Sequence, residues 1–143
     1  MSLPRASPLI LLVEDYDDAR DMYKDYLEFS GFRVETARDG EEALAKARFL
    51  LPDLILMDLS LPGVDGWEAT RTLKTDRATA RLIILALSAH PSDLEGDRAR
   101  TAGCDGFIAK PCLPQDLVEQ ISRHLKVQAQ SGPRARRVRG RRK

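Results

Sequence analysis

Leu54-Ile55-Leu56-Met57-Asp58-Leu59-Ser60-Leu61-Pro62-Gly63 is the stretch on which the reading of this chain turns. Four consecutive apolar residues suit a strand covered on both faces. Pro62-Gly63 is a turn signal. Asp58 therefore closes the strand and stands at its C-terminal lip. Two other apolar runs end in reactive groups. Leu9–Val13 runs into Glu14-Asp15, and Phe107-Ile108-Ala109 runs into Lys110-Pro111. In an open parallel sheet the C-terminal ends of the strands line one crevice, where ligands bind. Three acids and a lysine, distant in sequence, are expected to meet there.

Working outward, strand and helix patterns alternate. After Leu9–Val13, Asp17 or Asp18 is expected to cap a helix running to about Ser30, because a short carboxylate accepts first-turn amide protons. Met22, Tyr23, Tyr26 and Leu27 recur there at helical spacing, and Gly31 is a natural stop. Arg33–Ala37 alternates like an outer strand. Asp39-Gly40 starts a second helix with Ala43, Leu44 and Ala47 on one face, ended by Pro52. Gly63 and Gly66 mark a turn before a short third helix, Trp67–Lys74. Leu82–Leu87 is a continuous apolar strand ending at Ser88. A fourth helix is expected from Pro91-Ser92 to Ala102, stopped by Gly103. Gly106–Ala109 is the last strand, and Leu113–Leu125 the last helix. Strict alternation argues for a parallel sheet with helices on both faces.

The chain has 143 residues, 43% of them hydrophobic and 31% charged, which suits one globular domain. No apolar run reaches the roughly 20 residues of a membrane span, and the N-terminus lacks the apolar stretch of a signal peptide. The expected location is cytoplasmic. Cys104, Cys112, His90 and His124 show no metal-ligand spacing. The formal net charge of +1 conceals an asymmetry. Residues 131–143 hold seven basic groups and no acid, so the remainder carries 16 Lys and Arg against 22 Asp and Glu, a net of −6. The expected organisation is an extension over residues 1–7, a domain over 8–126 and a basic, disordered tail over 127–143.

Glu14-Asp15, Asp58 with Leu61-Pro62-Gly63 and Asp65-Gly66 behind it, Ser88-Ala89, and Phe107 followed by Lys110-Pro111 occur in that order. Together they resemble the response-regulator receiver domains, the CheY-like family, over residues 8–126. The resemblance implies a flavodoxin-like three-layer α/β sandwich, with a five-stranded parallel sheet in the order 2-1-3-4-5 and five helices. Crowded carboxylates repel one another and recruit a cation. Magnesium, which takes oxygen ligands and keeps several waters, suits such a group. Glu14 and Asp15 would hold it, Asp58 would be both ligand and nucleophile, and the family pattern adds the backbone carbonyl of Ser60. A carboxylate that attacks phosphorus becomes an aspartyl phosphate, and Lys110 and Ser88 would meet the transferred oxygens.

The resemblance further implies a switch in which Ser88 shifts toward the phosphoryl group and Phe107 turns into the space released. Ser60 and His90 take the positions that tune phosphate lifetime, and Lys110-Pro111 is expected to be cis. The phosphoryl donor would be a sensor histidine kinase or a histidine phosphotransfer protein. A downstream protein would dock on the face formed by the fourth helix, fifth strand and fifth helix. Residues after Lys126 are too few for a DNA-binding helical module, so a single-domain regulator is expected. Any intrinsic autophosphorylation and autodephosphorylation would not amount to turnover. A phosphatase reading is disfavoured because Ser60 stands where such enzymes often place a second acid. The alternative is a phosphorylation-independent module whose arginine-rich tail binds nucleic acid or an anionic membrane, with steep salt dependence.

Overall fold

The computed structural model of the chain describes residues 7–59, 61, 65–88 and 102–130. Five parallel strands, β1 (Leu9–Val13), β2 (Arg33–Ala37), β3 (Leu54–Asp58), β4 (Ile83–Ser88) and β5 (Gly106–Ala109), form one sheet in the order β2-β1-β3-β4-β5. Helices α1 (Asp17–Phe29), α2 (Gly40–Leu50), α3 (Gly66–Thr75) and α4 (Pro114–Gln130) complete the described residues. This is the flavodoxin-like α/β sandwich, with strand order 2-1-3-4-5, that the motif order implies. The expected helix from Pro91-Ser92 lies, apart from Ala102, outside the described residues, as does the basic stretch 131–143.

Period-two alternation explains the three layers. Ile10, Leu12, Leu54, Leu56, Ile83, Leu85 and Leu87 point to one side and bury Tyr23 and Leu27 of α1 and Leu117 and Ile121 of α4. Leu11, Val13, Ile55, Met57 and Ile84 point to the other, against Ala43 and Ala47 of α2 and Ala69 and Leu73 of α3. Both faces of β1, β3 and β4 are thus dry, which is why these strands read as unbroken apolar runs. Trp67 packs with Leu59, Ala86 and Ala102, and half-buried Phe107 leans on that group.

Local chemistry sets the helix ends. The Asp39 carboxylate accepts from the Glu42 amide at 2.8 Å and starts α2, and Asp65 does the same for Glu68 and α3. At α1 the expected cap is wrong. Tyr16 is the N-cap and makes no side-chain cap bond, while Asp17 and Asp18 lie within the first turn. There they favour the helix dipole but stand too far along to cap it. Instead, the Glu14 carboxylate accepts the Tyr16 amide proton at 3.2 Å. Gly31, at φ 102°, follows the end of α1. The fourth strand starts one residue later than expected, because the Leu82 amide is still held in a turn by the Thr79 carbonyl. The last helix runs five residues past its expected end at Leu125.

Beside the sheet, Lys74 of α3 donates to the Leu82 carbonyl at 2.6 Å and to Asp105 at 2.8 Å. The same Asp105 oxygen accepts from the Ile84 amide at 2.8 Å. This brace ties α3 to the start of β4 and to the turn entering β5.

Candidate functional site at the strand ends

The strand register builds the site. Val13 pairs with Met57, Asp58 with Leu87, and Ser88 with Ala109. Glu14, Asp58, Ser88 and Lys110 therefore emerge along the C-terminal edge of four adjoining strands, β1, β3, β4 and β5, and their extensions. Ligand oxygens of Glu14, Asp15 and Asp58 all lie within 4.8 Å of one another. Glu14 and Asp58 are buried, at 2% and 3% exposure, whereas Asp15 faces solvent. Lys110 spans the two buried acids: its ammonium donates to Glu14 Oε1 at 2.9 Å and to Asp58 Oδ2 at 3.4 Å. Ser88 is buried at the end of β4, and its carbonyl accepts from the Lys110 amide at 2.7 Å. The Lys110-Pro111 peptide is cis.

Three carboxylates thus share the site with one ammonium, which touches two of them, leaving an excess of two negative charges when all are ionised. Burial, reinforced by the Asp58 charge, pushes the Glu14 carboxyl above its ordinary range, and the Lys110 ion pair only partly opposes this. For Lys110, burial pulls downward, but its bond to Glu14 and the Asp58 charge outweigh it and hold the ammonium above its usual value. An all-oxygen donor set with this charge fits a hard divalent cation such as magnesium better than zinc. Among the described residues it is the one group of side chains that could hold a metal ion.

A carboxylate whose folded value lies above its unfolded one costs stability at high pH, and the cost vanishes as pH falls below the unfolded value. Glu14→Gln is therefore expected to stabilise the cation-free protein at neutral pH. The difference from wild type should shrink as pH falls and close below the ordinary carboxylate value of 4.5. Thermal melts across a pH series measure it. A lower melting temperature for the variant at neutral pH would contradict this account.

Two contributors were missed from sequence. Arg20 of α1, with a side chain 12% exposed, donates to the Glu14 carbonyl at 2.9 Å and pairs with Asp17. Nothing in its spacing distinguishes it from other helix-surface arginines. Gly66 packs directly on the β3 exit. A Cβ there would lie 2.6 Å from Leu59 Cα and 2.9 Å from the carbonyl carbon of Asp58, and closer still to the Asp58 carbonyl oxygen. In the sequence Asp65-Gly66 enters as a turn signal and as part of the resemblance, with nothing to mark this close approach. Ser60 and His90 lie outside the described residues. Cys104 is half-buried, and burial pushes its thiol up to about 11, so it stays protonated and inert. His124 lies on α4 with Nδ1 3.0 Å from the Gln120 carbonyl oxygen.

Comparison with known proteins agrees with this geometry. Residues 10–122 match the family model of the response regulator receiver domain. The polar-differentiation response regulator DivK of Brucella ovis is 36% identical over 116 residues, covering 81% of this chain and 94% of that protein. A CheY-like receiver domain protein of Methanospirillum hungatei superposes with a TM-score of 0.83 at 31% identity, over 89% of this chain and all of that one. The receiver domain of a sensor histidine kinase from Pseudomonas aeruginosa, solved with a magnesium ion coordinated in its active-site cleft, has a TM-score of 0.79 at 32% identity. It is covered over 99% of its length by 85% of this chain. An acid cluster at the mouth of a 2-1-3-4-5 sheet, a lysine reaching into it and a family match across the folded body lead to one assignment: this chain belongs to the response regulator receiver domains.

Proposed function

We propose that the chain is a phosphorylatable switch whose acceptor is Asp58 and whose donor is a sensor histidine kinase or histidine phosphotransfer protein. The observation that carries this reading is the convergence of Glu14, Asp15 and Asp58 within 4.8 Å, with the Lys110 ammonium among them. A carboxylate oxygen of Asp58 attacks the phosphorus of a phosphohistidine. The N–P bond breaks, its electron pair stays on the imidazole, and an acyl phosphate forms. Glu14, Asp15 and Asp58, with the Ser60 carbonyl, would hold a magnesium ion, which supplies positive charge against the phosphoryl oxygens. Lys110 pairs with another of those oxygens, and the Ser88 hydroxyl donates to a third.

Ser88 then moves toward the phosphoryl group, and Phe107, packed with Trp67 and Ala86, turns toward the space it leaves. The surface of β5, α4 and the segment between β4 and β5 changes shape, and a downstream protein reads it. Inverting a 1:99 equilibrium takes about 5.5 kcal/mol of differential binding. Two or three charge-assisted bonds at roughly 1.5–3 kcal/mol each are on that scale. Ser60 and His90 set how fast the anhydride hydrolyses, and the cycle ends there without substrate turnover.

The test is direct. Wild-type protein incubated with an acyl phosphate and magnesium should gain the mass of one phosphoryl group, and peptide mapping should place it on Asp58. Chelation with EDTA should suppress the reaction. Absence of the adduct, or an adduct on another residue, would overturn the proposal.

A further inference from the structure

Tyr23 lies on α1, far in sequence from Lys110. It is buried, at 5% exposure, among Ile10, Leu12 and Leu27. Apolar packing accounts for the ring but not for the hydroxyl. That hydroxyl donates at 3.1 Å to the carbonyl of Cys112, 89 residues away in sequence. Cys112 follows Lys110 by two positions, with Pro111 between them. The backbone on the other side of the lysine is held as well, by the Lys110 amide on the Ser88 carbonyl at 2.7 Å. The segment bearing the ammonium is therefore anchored at both ends: once to the sheet through β4, and once to a helix through a single phenol.

We infer that Tyr23 is a positioning residue for Lys110, its hydroxyl fixing the Pro111-Cys112 segment so that the ammonium points at Glu14 and Asp58. The inference rests on Asp58 being the phosphoryl acceptor. The carboxylates themselves hang from β1 and β3, which Tyr23 does not hold by this bond. Tyr23→Phe keeps the ring and its packing and removes only the tether. Loss of a positioning contact slows a reaction without requiring any change in the groups that react.

Four measurements on the full chain test it. In the cation-free protein, Tyr23→Phe should speed hydrogen exchange across residues 110–117 while β1 and β3 keep wild-type protection, which also shows that the variant folds. At saturating magnesium and acyl phosphate, the rate constant for phosphorylation should fall about fivefold, equivalent to about 1 kcal/mol. The magnesium dissociation constant should stay within about twofold of wild type, the size of a coupling near zero. In a Lys110→Ala background, the same substitution should change the rate by less than about twofold, because a residue acting only through the lysine has nothing left to position. An unaltered rate in Tyr23→Phe, unaltered exchange at residues 110–117, or an undiminished loss in the Lys110→Ala background would each overturn the inference. Failure of the wild-type protein to become phosphorylated would instead sink the acceptor assignment, with the exchange measurement still deciding the tether.

Discussion

Asp58→Asn protein is expected to take up no phosphoryl group under conditions that label wild type fully, and to be more stable than wild type in cation-free buffer. The first outcome follows from chemistry: an amide lacks the anionic oxygen that attacks phosphorus. The second follows from electrostatics. Asp58 shares a space of 4.8 Å with two other carboxylates, and Lys110 lies closer to Glu14, at 2.9 Å, than to Asp58, at 3.4 Å. Neutralising Asp58 removes repulsion and leaves the shorter ion pair in place. A gain of about 1–2 kcal/mol is expected, since charges about 4 Å apart near a protein surface interact by roughly 4 kcal/mol before compensation. Intact-mass analysis and denaturant unfolding, each with and without magnesium, measure the two effects. The stabilisation that magnesium confers on wild type should be largely lost in the variant. Equal labelling, or a variant weaker than wild type without cation, would contradict the site as drawn.

Gly66→Ala should damage both fold and function. The added methyl would fall against the backbone at Asp58 and Leu59, with Leu59 Cα at 2.6 Å. No side chain can swing aside to make room, because the obstructing atoms are main chain. Either α3 backs away from β3 or the β3 exit bends. The first costs packing around buried Trp67 and Leu73, and the second re-aims the Asp58 carboxylate. Overpacking of this kind costs about 3 kcal/mol or more, and a displaced nucleophile loses about tenfold or more in rate. Urea unfolding and the phosphorylation rate report the two losses. A variant with wild-type stability and rate would show that the close approach is absent.

The strands were legible because their two covered faces demand unbroken apolar runs, and Leu54–Met57 meets that demand with no polar interruption. The acids were legible because they sit where those runs stop. Register then carried them together, since parallel pairing of Val13 with Met57 puts Glu14 beside Asp58. Lys110 could be placed from the same rule. Contacts between side chains and distant backbone were not legible. Gly66 looks like any turn glycine until the β3 exit is laid against it, and the phenol of Tyr23 looks like one more member of an apolar stripe. The α1 cap was misread because the carboxylate that takes the Tyr16 amide belongs to Glu14, an acid already assigned to the site. The end of α4 was placed early because the apolar spacing stops at Leu125. Val127-Gln128-Ala129-Gln130 contains no glycine or proline to break a helix already under way.

The hydrogen bond from the Lys110 amide to the Ser88 carbonyl makes the backbones of these two residues rungs of a single ladder. Neither can drift independently, so a nudge delivered at one strand terminus is passed mechanically to its neighbour rather than absorbed by slack. Because the link is main chain to main chain, side-chain substitutions at either position should leave it intact, and slow hydrogen exchange of the Lys110 amide should persist in both variants.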